Sequence, residues 1–195
     1  MAPSMRYLVV RALLFLVPFT VLMIAAVPWW LSLLVSLAFA FAASIVFFGP
    51  VAVMGTVYAM IGRVTADSIA LGVAIGCISA ALMLCNNLRD LETDRAAGKR
   101  SLSTLIGRRA SKALYVVLML VPFVILWVFS YALVFGIAVF AVLLLAGPAM
   151  VIVVMARTPR DLITALGLTG MTALLYGVGL AIAIWGGPAG FVSAT

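Results

Sequence analysis

The sequence predicts an all-α fold, a polytopic transmembrane helix bundle of about six to seven spans, and three observations carry that prediction. Of its 195 residues 67% are apolar and only 9% charged, with a mean hydropathy of +1.36. A water-soluble domain runs at about 45–50% apolar and about 25% charged, so that class is excluded. The apolar runs are also unbroken, whereas a transmembrane barrel alternates polar and apolar positions in segments of about 10 residues. Finally, crossing ~30 Å of hydrocarbon takes about 20 helical residues, which sets the number of spans the chain can supply.

The charges place the elements. Ten of them fall between residues 89 and 112. At roughly 2.5–3.5 kcal/mol each near the bilayer centre they cannot lie in hydrocarbon. Residues 87–112 are therefore expected as an interfacial or aqueous loop, and its basic excess places it on the cytoplasmic side of the plasma membrane. Counting outward, 68–86 is one span, with Gly72, Gly76 and Ala80 as a small-residue ridge for close helix packing. The polar step Arg63–Asp67 then lies outside. Downstream, 113–132 runs outward, 134–155 returns, and 162–185 is the last span. Thr158-Pro159 with Asp161 reads as a helix start, with an N-cap, a proline in the first turn and an acid at the third position.

Residues 12–62 carry no charge. Pro28 with Trp29-Trp30 marks one interfacial break. The remainder, 31–62, would measure roughly 48 Å as one helix and would need more than the usual tilt of ~0–40°. A split at Gly49-Pro50 is the preferred reading, because it puts eleven of the twelve bases, Arg6 and Arg11 among them, on the cytoplasmic side.

Composition also removes chemistries. Without histidine there is no imidazole base, no Ser-His-Asp triad and no His-rich metal site. Cys77 and Cys85, about 12 Å apart along one helix, are too distant to bridge and read as buried thiols. The net charge of +7 marks cytoplasmic loops facing anionic lipid rather than a nucleic-acid partner. Trp127 and Trp185 read as lipid-facing anchors, Arg157 and Arg160 as positive-inside anchors, and Tyr58, Tyr115, Tyr131 and Tyr176 as packing or interfacial residues.

One stretch carries chemistry: Asn86-Asn87-Leu88-Arg89-Asp90-Leu91-Glu92-Thr93-Asp94-Arg95-Ala96-Ala97-Gly98-Lys99-Arg100. Asn86, Asp90, Asp94 and Gly98 are four apart and share one face of a helix. Two stacked carboxylates repel unless a cation sits between them. Mg²⁺ suits the place, since it takes one or two carboxylates, keeps water and completes its shell with phosphate oxygens. Asn86 adds a neutral oxygen, while Arg95, Lys99 and Arg100 offer donors to phosphate. Spacing alone also fits a solvated loop whose acids offset nearby bases. Glu92, off that face, reads as a loop charge.

At these residues the sequence resembles a known family. NNLRDLETDRAAGKRSL is similar to the second Asp-rich motif of the UbiA superfamily of intramembrane aromatic prenyltransferases, nearest its 1,4-dihydroxy-2-naphthoate polyprenyltransferases of menaquinone biosynthesis. The likeness extends upstream through Phe47-Phe48-Gly49-Pro50-Val51-Ala52-Val53-Met54-Gly55-Thr56 and downstream through Leu105-Ile106-Gly107 and an expected helix start at Leu114-Tyr115. It implies Mg²⁺ bound at the diphosphate of a polyprenyl donor, departure of that diphosphate, and attack on a small aromatic acceptor with loss of the naphthoate carboxylate. Carried over, Asp90 and Asp94 become catalytic metal ligands and Asn86 an auxiliary ligand. Arg89, Lys99 and Arg100 become diphosphate contacts, and membrane lipid surrounds the chain. The family's first Asp motif has no counterpart, since no acid precedes Asp67 and Asp67 falls on the outer side. A Tyr- and Gly-rich loop ending in Gly-x-Gly-Glu is missing as well. The chain thus looks N-terminally shortened. Two readings follow: a prenyltransferase, active alone or with a second chain supplying the missing motif, and an inactive, degenerate or fragmentary paralogue in the membrane. A small transporter is disfavoured by the lack of ionisable residues within the spans.

Overall fold

The computed structural model describes residues 45–129 and 136–185, together with Pro28, Leu31, Phe39 and residues 41–43. Arg6, Arg11, Trp29-Trp30, Tyr131, the turn expected near 133 and the side chain of Trp185 lie outside the described residues. Those that are described contain helices and no strand. A π-helical turn, Phe47–Val51, leads into α1 (Ala52–Ile61). After Gly62 come α2 (Ala66–Arg89), the short α3 (Leu91–Ala96), α4 (Leu102–Phe129), α5 (Gly136–Val139), a 3₁₀ turn (Phe140–Val142), α6 (Leu143–Met155) and α7 (Pro159–Trp185). Five stretches are long and apolar enough to cross a bilayer: Phe41–Ala59, Ala66–Arg89, Leu102–Phe129, Ile137–Met155 and Pro159–Ala183. The chain is an integral membrane protein. The expected span ahead of the Trp29-Trp30 break falls on residues outside those described.

Two boundaries differ from the sequence expectation. Gly49-Pro50 does not split a pair of helices, because the chain stays helical from residue 45 to Ile61 and absorbs Pro50 in the π turn. Proline removes one N–H, and a widened turn accommodates the loss without ending the helix. The contact that fixes this turn is the ridge on α2. A Cβ on Gly49 would meet Gly72 O and, at 2.6 Å, Gly76 Cα, while one on Gly72 would lie 2.6 Å from Pro50 Cα. Backbone meets backbone here, and only glycine permits it. The second correction concerns 87–112, which is no loop. It comprises the end of α2, all of α3, a turn, and the start of α4 at Leu102 rather than near 113. Charge excludes a segment from hydrocarbon, not from a helix at the interface. The helical path of α4 breaks only at Gly107 (φ +81°).

The central helix is α2, which packs against the π turn, α4 and α7, while α6 lies on α7. Its Leu71, Ala74, Ile78, Ala81, Leu84, Cys85 and Leu88 are core residues. Cys77 and Cys85 are both buried free thiols, as expected. Polar tyrosines tie the bundle internally: Tyr115 Oη pairs with Thr169 Oγ1 at 2.5 Å, and Tyr176 Oη donates to Pro122 O at 2.7 Å. Helix α7 starts as read, with Asp161 Oδ2 accepting from the N–H groups of Arg157 and Thr158, both at 3.0 Å. At the same end Lys112 Nζ donates to Val154 O and Ala156 O, closing the C-terminus of α6. Trp127 is exposed, as an anchor should be.

Candidate functional site

The candidate site forms where α2 leaves the core. Leu84, Cys85 and Leu88 are still buried; Asn86, Asn87 and Arg89 are half-buried. Asp90 closes α2 and opens α3 with φ −89°, ψ 6°. The hydrogen-bond ladder nevertheless passes through it. Asp90 N–H donates to Asn86 O (3.1 Å), and Asp94 N–H donates to Asp90 O (2.8 Å). Asn86, Asp90 and Asp94 therefore keep the register the spacing predicts. Gly98 does not continue that face. It adopts φ +66° in a turn, its N–H donating to Arg95 O at 3.1 Å, while Lys99 N–H reaches back to Asp94 O at 2.8 Å. Asp94 is buried, while residues 95–100 that follow it are exposed.

The two carboxylates then face different surroundings. Both Asp90 oxygens are taken by one guanidinium: Arg89 Nε–Oδ1 is 2.7 Å and Arg89 Nη2–Oδ2 is 2.8 Å. That paired donor, with the more distant Lys99 charge, holds the Asp90 carboxyl below the usual carboxylate range. Asp94, with a side chain only 9% exposed, pairs through Oδ1 with Lys99 Nζ at 3.1 Å. Its Oδ2 is buried without a partner, as are the hydroxyl oxygens of Ser101 and Ser103. A carboxylate oxygen can only accept, so burying one unpaired is costly unless a cation or donor arrives.

Arg100 is exposed beside Lys99. Glu92, read from the sequence as a loop charge, has a structural use. It pairs with Arg108 at 3.1 Å and Arg95 at 3.8 Å, tying α3 to the first turns of α4. Asp67 lies at the other end of α2, about 35 Å from Asp90 at 1.5 Å per residue, so it takes no part. Sequence reasoning missed Ser101 and Ser103. The first is the cap of α4, its N–H donating to Thr104 Oγ1 at 2.8 Å, a pattern the Ser-x-x-Thr string carries. Nothing local signals the burial of the second.

The donor set suits a divalent ion of the Mg²⁺ kind held from one side. An unpartnered, buried carboxylate oxygen stands one turn from a second carboxylate. No group of three or more His, Cys, Asp or Glu side chains capable of holding a metal exists among the described residues, so a closed protein cage is not what these residues build. The remaining shell would come from water and ligand oxygens, as Mg²⁺ sites commonly arrange it.

The sequence profile of the UbiA prenyltransferase family matches residues 41–165, from before the π turn into α7 and across the whole site. The chain belongs to the UbiA prenyltransferase family. Among relatives, it is 36% identical over 143 residues to a 1,4-dihydroxy-2-naphthoate octaprenyltransferase of Mycobacterium tuberculosis, covering 71% of this chain and 48% of that protein. The protein of the same description in Mycobacterium leprae is 32% identical over 139 residues, 71% of this chain and 47% of its own. A UbiA prenyltransferase domain-containing protein 1 homolog of Drosophila melanogaster is 31% identical over 86 residues, 44% of this chain and 24% of its own. The chain thus spans about half the length of its mycobacterial relatives. No solved structure matches it. For this UbiA-family chain, the matched region contains the Asn86–Arg100 stretch in full.

Proposed function

We propose that this chain is an aromatic prenyltransferase. It moves a polyprenyl group from its diphosphate to a small aromatic acceptor, 1,4-dihydroxy-2-naphthoate in the menaquinone pathway. The observation that carries the reading is the buried, unpartnered Oδ2 of Asp94, one turn from Asp90 and inside a family-matched region.

Asp90 and Asp94, with Asn86 as an auxiliary oxygen, would hold Mg²⁺. The ion supplies charge stabilisation at the oxygens of a departing diphosphate. Lys99, Arg89 and Arg100 bind the other phosphate oxygens; the two arginines offer paired donors and Lys99 a point charge. The site stands where apolar α2 meets the interface, so a diphosphate can sit among charges while its isoprenoid tail lies along the bundle. The allylic C–O bond breaks with its electron pair going to diphosphate. A ring carbon of the acceptor then bonds to the allylic carbon, and the naphthoate carboxylate leaves as CO₂. The bases of 89–112 support an inner-leaflet, cytoplasmic placement of this end in the plasma membrane.

A second reading, an inactive or fragmentary paralogue, is favoured by the acid count. With five acids in all, only Asp90 and Asp94 stand at the metal face, and no opposing Asp motif is found among these 195 residues. The deciding experiment is prenylation of dihydroxynaphthoate by purified protein with a prenyl diphosphate and Mg²⁺, product read by mass. Turnover abolished in Asp90→Ala and Asp94→Ala supports the enzyme and its metal ligands. Turnover that persists in both removes the metal assignment, and no turnover in wild type supports the paralogue.

A further inference from the structure

Arg89 lies next to Asp90 and grips both of its oxygens at 2.7 and 2.8 Å, while Lys99 holds one oxygen of Asp94 at 3.1 Å. The two carboxylates proposed for the metal are thus neutralised by two of the cations proposed for the diphosphate. We propose that Arg89 is a positioning residue, a latch that occupies Asp90 until a diphosphate draws it away, so that metal and diphosphate bind as a coupled pair. This rests on the proposed reading of the site and concerns the order in which it fills.

Charge arithmetic supports the coupling. Asp90, Asp94, Arg89 and Lys99 sum to zero. A divalent cation alone brings the site to +2 and must displace the guanidinium from Asp90 with no new anionic partner supplied. A diphosphate alone adds about three negative charges beside two carboxylates. Together they leave about −1, and each internal ion pair is exchanged for another: carboxylate to metal, guanidinium and ammonium to phosphate. Such coupling is reciprocal by linkage. The latch is suited to release, since the side chains of Arg89 and Asp90 are 30% and 35% exposed. A half-exposed pair is weak enough for a phosphate to compete with.

The test is Mn²⁺ binding to the purified full chain in detergent or nanodiscs, read by electron paramagnetic resonance, with Arg89→Ala, Arg89→Lys and Asp94→Asn. Farnesyl diphosphate binding is measured in parallel, with and without Mg²⁺. Chelation in solution is common to all variants and cancels when they are compared. Arg89→Lys keeps the charge but cannot grip both oxygens. The latch therefore requires it to bind Mn²⁺ alone about fivefold more tightly than wild type, the size of one such pair. The Mg²⁺ dependence of farnesyl diphosphate binding should weaken in both Arg89 variants. Tightening in Arg89→Ala but not in Arg89→Lys would mean bulk charge only and would overturn the latch while sparing the metal site. The latch is likewise overturned, and the metal site spared, if neither variant changes and Asp94→Asn still abolishes Mn²⁺ binding. No Mn²⁺ binding by any form sinks the metal reading and the latch with it.

Discussion

The middle of this bundle and its charged end solve opposite problems. In the middle, polar groups are few and paired: Tyr115 with Thr169, Tyr176 with Pro122 O, and Thr169 with Ala165 O. Beyond the end of α2, from α3 to the start of α4, three buried polar atoms within ten residues have no partner, Asp94 Oδ2 and the hydroxyls of Ser101 and Ser103. Native proteins leave few such atoms, and a cluster of them marks a place where something else completes the bonding. The contrast separates stability from function between two regions of the bundle. Core residues of α2, α4 and α7 hold it together, and the segment from α3 to the start of α4 is left chemically unfinished.

The largest effect that would sharpen this contrast belongs to the core. A side chain at Gly76 would run into Ile45 O at 2.5 Å from its first carbon, so Gly76→Leu should push the π turn and α1 off α2. Overpacking costs about 1–3 kcal/mol where a neighbour can move and more where it is backbone. The expected result is a lower unfolding temperature and loss of folded protein. Gly167→Leu, where a Cβ meets nothing within 4 Å, is the control that should behave as wild type.

Next comes the charged end, where the sign should invert. Asp94→Asn keeps the shape, removes the buried charge and loses a Lys99 pair worth about 0–1 kcal/mol. Thermal stability should barely move. Metal-dependent binding of farnesyl diphosphate should fall by about 100-fold or more, given that even supporting residues of metal sites cost about 10–100-fold. A variant that instead unfolds the protein would erase the distinction between the two regions.

That distinction was only half legible in the sequence. Charge exclusion from hydrocarbon placed α2, α7 and the span Ile137–Met155 to within a few residues, and four-residue spacing aligned Asn86, Asp90 and Asp94 correctly. What escaped depends on contacts distant in the chain. The π turn at Gly49-Pro50 is decided by Gly72 and Gly76, more than twenty residues on, and hydropathy cannot distinguish a widened turn from a break. Gly98 left the helical face because a positive-φ turn folds back on Asp94. No local pattern foretold the burial of Asp94, and the Arg89 grip on Asp90 depends on rotamers rather than spacing.

A smaller effect tests the satisfied core. Tyr176→Phe removes only the hydroxyl that donates to Pro122 O and leaves the ring in its edge-on contact with Phe123, 5.7 Å between centroids. Interhelical hydrogen bonds in membrane proteins average about 0.6 kcal/mol, and Pro122 O stays within the helical ladder of α4. A drop of about 0.5–1.5 kcal/mol in unfolding free energy is expected, with farnesyl diphosphate affinity unchanged. A change in affinity without a change in stability would show that the core and the end are not separable.

The smallest effect is a pH dependence at the tip. Asp90 has its carboxyl held below the ordinary value by the two hydrogen bonds from Arg89. A depressed folded-state value means the unfolded chain binds the proton more readily. The contribution to stability is therefore fully present above the unfolded value of about 3.9 and is lost as pH falls through the lower folded one. Across pH 5–8 this pair should give no slope. Solvent screens a side chain this exposed, so the acid limb should be shallow. Asp90→Asn should flatten the Asp90 part of the stability profile below about pH 4 and leave neutral stability nearly unchanged. A slope near pH 6 that vanished in Asp90→Asn would mean that Arg89 does not hold this carboxylate in solution, and the paired end would have to be redrawn as an open one.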